Sequence, residues 1–202
     1  AVVAGYALWP KWAKEDFLDQ IAKTFQANRL YLEQVLNAYE RGAGPPGFLR
    51  SHREKAQLEN SNASASFQRV LGESWGKNRL LEPYYSLVNS NQRIFDTAVA
   101  LSTHLPHVRL PEIGPLKDKL LRAMDELEQA AAEKRLARVA GMEDEFGALE
   151  AIHRRELLGI GMLIGRVTDE VQGAARALGR IPRQVVPEAR EGVPTEAEQV
   201  TR

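Results

Sequence analysis

Cysteine is absent from the 202 residues. That excludes disulfides, thiolate metal sites and cysteine nucleophiles, and it is compatible with a reducing compartment. An excess of one charge is missing as well: Lys and Arg number 27, Asp and Glu number 27, and no block of like charge stands out. Without a basic face or stripe, nucleic acid is not an expected partner. There is no apolar run of about 20 residues, the length a membrane-spanning helix requires, and no internal repeat. Catalytic signatures are lacking too. The chain has no G-x-S-x-G elbow, no phosphate-binding glycine loop after a strand and no H-E-x-x-H. It is read as non-enzymatic, with no cofactor or metal expected.

What is present is helical periodicity. Apolar residues recur at three- and four-residue spacing, and no alternating β-branched run bounded by turns occurs. The expected fold is an all-α bundle of about five helices, several of them long. The first helix is expected over about Lys14–Arg41, with Leu18, Ile21, Phe25, Leu32, Val35 and Tyr39 on one stripe. It ends at "GAGPPG", Gly42–Gly47, a turn or loop. A second helix follows over about Leu49–Glu73. A third, opened by Pro83 in its first turn, runs to about His104. The stretch "LPHVRLPEIGP", Leu105–Pro115, holds three prolines and a glycine and prohibits a continuous helix. Beyond it a helix is expected over Leu116–Val139, with Leu120, Met124, Leu127 and Ala131 on one side, interrupted at Gly141.

The last helix, about Glu143–Leu178, is the most hydrophobic, with a broad stripe from Leu149 and Ile152 through Ile160, Ile164, Val167 and Val171 to Leu178. Its centre, "LLGIGMLIG", carries no charge and fits a helix buried in the middle of a bundle. Gly159, Gly161 and Gly165 within it let another helix approach closely. Residues 180–202 have three prolines, no aromatic residue and four charges of each sign, so little to bury; a disordered tail is expected.

The N-terminus, "AVVAGYALWPKWAKEDF", runs from eight small or apolar residues straight into Trp-Pro-Lys-Trp. A secretory signal would place its basic segment first, whereas here it follows. Ala1–Leu8 fit the last two turns of a longer span, since Tyr and Trp gather at the headgroup level and Lys beyond a span marks the cytoplasmic side. Tyr6, Trp9, Lys11 and Trp12 would form that membrane interface, with Lys14 behind them. The alternative is an apolar arm packed on the domain's own core. The chain does not open on Met and is expected to be part of a longer one. Three segments follow: 1–12, the end of a transmembrane helix and its anchor; 13–179, the helical bundle; and 180–202, the tail.

Few residues are candidates for a site. Glu150-Ala-Ile-His153 has the Glu-x-x-His spacing of di-iron bundles, but those need two such motifs and two further glutamates; a surface pair is the plainer reading. His104 and His107 lack a third ligand at a recognisable spacing. More unusual is "SHREKAQLENSNASASFQRVLGE", Ser51–Glu73. Asn60, Ser61, Asn62, Ser64 and Ser66 are poor helix formers crowded into the middle of a helix. Close packing through Ala56, Ala63 and Ser66 with paired asparagines is the plain account. The sharper one is a ligand or interface lining of Asn60, Asn62 and Asn91, with Arg69 or Arg93 to pair a carboxylate.

Taken together, the apolar end in "LWPKW", the helix containing "ANRLYLEQVL" and the run R-E-K-A-x-L-E-N-S-N-A-S-A-S-F-Q-R-V-L-G-E resemble the soluble domain after the second membrane bundle in the fusaric acid resistance family, which includes aromatic carboxylic acid exporters. The resemblance covers roughly the first half of the chain and fades by His104. It implies an inner-membrane protein with the present domain on the cytoplasmic side, associated with its own transmembrane part and expected to be a homo-oligomer. It implies no catalytic residue. Transport chemistry would lie in the membrane part, with this domain assembling subunits, bracing helices or binding a regulatory ligand. A free-standing helical adaptor and a ligand-sensing bundle are the alternatives.

Overall fold

The computed structural model describes residues 3–42, 47–73, 81–105 and 108–181, with side chains from residue 16 onward apart from 73, 156, 158 and 159. The expected tail therefore lies outside the described residues, apart from its first two positions. Among the described residues, six α-helices and one 3₁₀ turn form the bundle: α1, Val3–Arg41; α2, Arg50–Glu73; α3, Glu82–His104; the turn Pro111–Ile113; α4, Gly114–Ala132; α5, Glu143–Ile152; and α6, Arg154–Arg180. No strand occurs among the described residues.

Helix α1 is the hub. From Phe17 to Tyr39 its buried residues are not confined to one stripe: Phe17, Leu18, Ile21, Phe25, Ala27, Tyr31, Leu32, Val35 and Tyr39 are all buried, and the exposed positions in this stretch are Asp19, Lys23 and Gln26. A helix buried on most sides must be surrounded, and α1 packs on α2, α3 and α4. Helix α2 returns along it, bringing Phe67 against Phe17. Helix α3 runs in the direction of α1, because Phe17 meets Tyr84, Asn28 meets Asn91 and the Tyr39 hydroxyl donates to Leu101 O, all in ascending order. Helix α4 runs the other way. Its Lys117, buried at 8% exposure, donates to Glu40 and Asn37 near the end of α1, while Asp125 pairs with Arg29. Helix α6 packs along α3 in the opposite sense, with Glu170 beside Ser90 and Arg180 beside Glu82.

Three boundaries differ from the sequence reading. Helix α1 begins at Val3 rather than near Lys14 and passes through Pro10; Ala4, Ala7 and Leu8 are strong helix formers, and one proline removes a single ladder bond without forbidding the helix. Helix α4 stops at Ala132 instead of reaching Val139. Lys134 takes a left-handed φ of 55°, and Arg135 N donates to Ala130 O and Lys134 N to Ala131 O. This is a Schellman ending with lysine at the position glycine usually holds. The expected single helix from Glu143 to Leu178 is two helices, parted at His153 with φ −114° and ψ 38°. The break swings the face of α5 out of line with that of α6, which leaves Ile152 61% exposed rather than in the core.

Candidate functional site

The crowded polar residues of α2 are explained by α1. On α1, Asn28 sits in register with Phe25, Leu32 and Val35, so it points inward, and it is 1% exposed. Its Nδ2 donates to Asn91 O at 3.0 Å and Asn91 Oδ1 at 3.1 Å, while its Oδ1 accepts from Asn60 Nδ2 at 2.8 Å. Asn60 gives its other amide hydrogen to Ala56 O at 2.8 Å, and Asn91 Nδ2 donates to Leu87 O at 3.2 Å. Three asparagines from three helices thus close on each other in the core. A turn earlier, Thr24 Oγ1 lies 2.8 Å from Gln20 O and 3.1 Å from Glu59 O, and Gln20 donates to the Glu59 carboxylate.

This cluster is a clasp rather than a cavity. Both Asn60 hydrogens are used, as is the Asn28 amide nitrogen, so neither residue has an amide hydrogen left to offer a ligand. The other candidates lie apart from it. Asn62, half-buried, donates to Glu59 at 3.3 Å, Arg69 is exposed on α2, and Arg93 is turned outward onto Glu170 at 3.0 Å. Asn28 and Thr24 escaped the sequence reading, although a polar residue at a core position of a strongly periodic helix is a legible signal.

Among the described residues the histidines do not assemble a metal centre. His153 occupies the break between α5 and α6, so Glu150 and His153 do not share one helical face as the Glu-x-x-His spacing requires. The His153 ring instead contacts Glu112 in the 3₁₀ turn and holds that carboxyl below the usual range. His104 ends α3, and His107 lies outside the described residues. Among the described residues, no group of three His, Asp or Glu could hold a metal.

A concave feature lies on the outer side of α6. An open groove of about 780 Å³ runs between α5 and α6, lined by Phe146 and Glu150 from α5 and by Leu157, Gly161, Met162 and Gly165 from α6, with Arg166 and Asp169 along its far end. Met162 is 79% exposed. A Cβ at Gly165 would meet nothing within 4 Å, and one at Gly161 would meet only Leu157 and the edge of Phe146. The expectation of a helix buried at the centre of the bundle therefore needs correction: α6 buries Ile160, Ile164, Val167 and Val171 on one side and leaves Met162 and Gly165 open on the other. Neighbours come close to α6 at Gly173 and Gly179, where an added Cβ would lie 3.6 Å from Ser90 Oγ of α3 and 3.3 Å from Leu136.

The backbone of Tyr6, Trp9, Lys11 and Trp12 belongs to α1, and their side chains lie outside the described residues. No helix among the described residues is long and apolar enough to cross a membrane. No protein-family model, curated protein or solved structure matches this chain.

Proposed function

We propose that the chain is the cytoplasmic accessory and oligomerisation domain of an inner-membrane efflux-type transporter resembling the fusaric acid resistance family, whose membrane part would move aromatic carboxylic acids or related toxic compounds. The domain is non-catalytic and works by bracing and assembly. The observation that carries this reading is the continuity of α1. The apolar run from Val3 onward and the Trp-Pro-Lys-Trp segment are turns of the same helix that, from Phe17, forms the hub of the bundle. Thirteen residues precede Asp16 in that helix, about 20 Å at 1.5 Å each. Continuous with the hub in this way, they suit a lever from bilayer to core better than an arm folded back on it.

The reading requires apolar helices ahead of Ala1, so the test is the coding sequence upstream of that codon. Several apolar stretches of about 20 residues support it, and a start codon directly before Ala1 refutes it.

A second reading, a free-standing helical adaptor, is favoured by the groove on α6 and its exposed Met162, which a partner could cover. Removing residues 1–12 separates the two. An adaptor that packs them on its core loses thermal stability, whereas a membrane stub keeps its melting temperature and gains solubility.

A further inference from the structure

The break between α5 and α6 falls where the sequence offers no breaker. Residues 151–155 contain neither proline nor glycine, and the backbone ladder itself passes over the junction: His153 N donates to Leu149 O and Leu157 N donates to His153 O, each at 2.9 Å. His153 nevertheless leaves helical geometry, at φ −114° and ψ 38°. Its ring reaches the Glu112 carboxylate in the 3₁₀ turn, a contact in which the imidazole is 14% exposed and the carboxylate 50%.

This contact is one of few that hold α5. The helix has ten residues, and among them Leu149 is the buried one; a helix so short does not persist in water by itself. Met142, just ahead of it, is buried too. Lys119 of α4 donates to both oxygens of Glu145 at 2.8 Å and holds that carboxyl below its usual range. Two of these attachments are apolar, and the lysine and carboxylate of the third keep their charges through neutral pH. The imidazole differs, because it exchanges its proton between about pH 5 and 8. The other charged groups around the junction are Glu150 on α5, Arg154 and Arg155 on α6, Arg122 on α4 beside Glu145, and Glu40 on α1, which Lys117 engages. Carboxylates, ammonium and guanidinium groups do not titrate in that range.

We infer that His153 is a proton-operated latch, whose imidazolium pins the α5–α6 junction to Glu112 and whose deprotonation loosens α5. The charged ring donates a charge-assisted hydrogen bond, whereas the neutral ring can supply only an ordinary one, about half as strong. The direction follows from both partners. The Glu112 carboxyl, held below its usual range by His153, is already ionised above about pH 4.3, so the latch is complete from there upward and weakens as pH rises through the imidazole titration. Phe146 and Glu150 of α5 form one wall of the groove beside α6, so releasing α5 widens that groove. The latch operates under either functional reading, since it involves neither the α1 extension nor a partner.

The test is hydrogen exchange on the full chain at about pH 5 and about pH 8, the two ends of the imidazole range, with protection factors corrected for the intrinsic rate at each pH. In the parent, α5 amides should lose about two- to fivefold in protection at the higher pH, the scale of a partly exposed ion pair. His153→Gln and Glu112→Gln each remove the charged pair and should flatten that dependence. Glu112 is half-exposed, so Glu112→Gln keeps the test in force should His153→Gln disturb the fold. Protection in parental α5 that is the same at both pH values overturns the latch. A pH dependence that persists in either variant overturns it as well, because the titrating group then lies elsewhere.

Discussion

Asn28 shows how much one side chain can hold. It accepts from α2 and donates to α3, so truncating it strands an amide hydrogen of Asn60 and the oxygens of Asn91 in a core where water is not at hand. Unpaired buried groups cost about 1–3 kcal/mol each, and partial relaxation should leave Asn28→Ala roughly 2–4 kcal/mol less stable in chemical denaturation. Asn62→Ala, on the half-buried outer side, should cost under about 1 kcal/mol. Equal losses at the two positions would remove the clasp as a distinct feature. Lys134 is the converse case, a residue that strains its own backbone. Its φ of 55° is a conformation glycine adopts freely. Lys134→Gly should therefore raise stability by about 0.5–1 kcal/mol, read as a higher denaturant midpoint with unchanged slope.

At the level of elements, the ending of α4 is tied down by charge. Arg135 grips the Glu126 carboxylate with two nitrogens and Arg138 N donates to it, which pulls the Glu126 carboxyl down to about 2. A carboxyl depressed in the folded state contributes stability that is fully present above its unfolded value, about 4.3, and is lost as pH falls through the folded one. Acid titration between about pH 4.5 and 2 should thus loosen residues 133–140, and Glu126→Gln should abolish that pH dependence. This segment also marks where sequence reading failed. The periodicity of Leu120, Met124, Leu127 and Ala131 identified α4 correctly, but the pattern extends through Ala137 and Val139, and nothing in Lys-Arg announces a left-handed turn. The same limit applies at His153, where apolar spacing runs on across a break set by contact with Glu112 rather than by glycine or proline. The stripe of α4 is legible because it buries one continuous side, and that of α1 because its largest apolar residues keep the helical period although burial there extends to most sides. The asparagine clasp was half legible, since α2 advertises its polar residues and Asn28 stands singly among apolar ones.

The whole molecule is unequal in its attachments, and this predicts its motions. Helix α1 is surrounded by α2, α3 and α4, so its amides between Phe17 and Tyr39 can exchange with solvent only when the bundle opens as a unit. Helix α5 is the opposite extreme. It has ten residues, fewer than an isolated helix needs to persist in water, and within it only Leu149 is buried. It is held to the rest by Met142 just ahead of it, by the Lys119–Glu145 ion pair to α4 and by the His153 contact with Glu112. Hydrogen exchange should find α5 amides opening about a hundredfold or more faster than those of α1, and Glu145→Ala should widen that gap without altering α1. Equal protection would make α5 part of the cooperative core and the groove beside it a fixed wall. The expected inequality makes one wall of the groove adjustable, so that whatever seats against Met162 can draw Phe146 toward itself while the clasp of Asn28, Asn60 and Asn91 keeps the three-helix core unchanged.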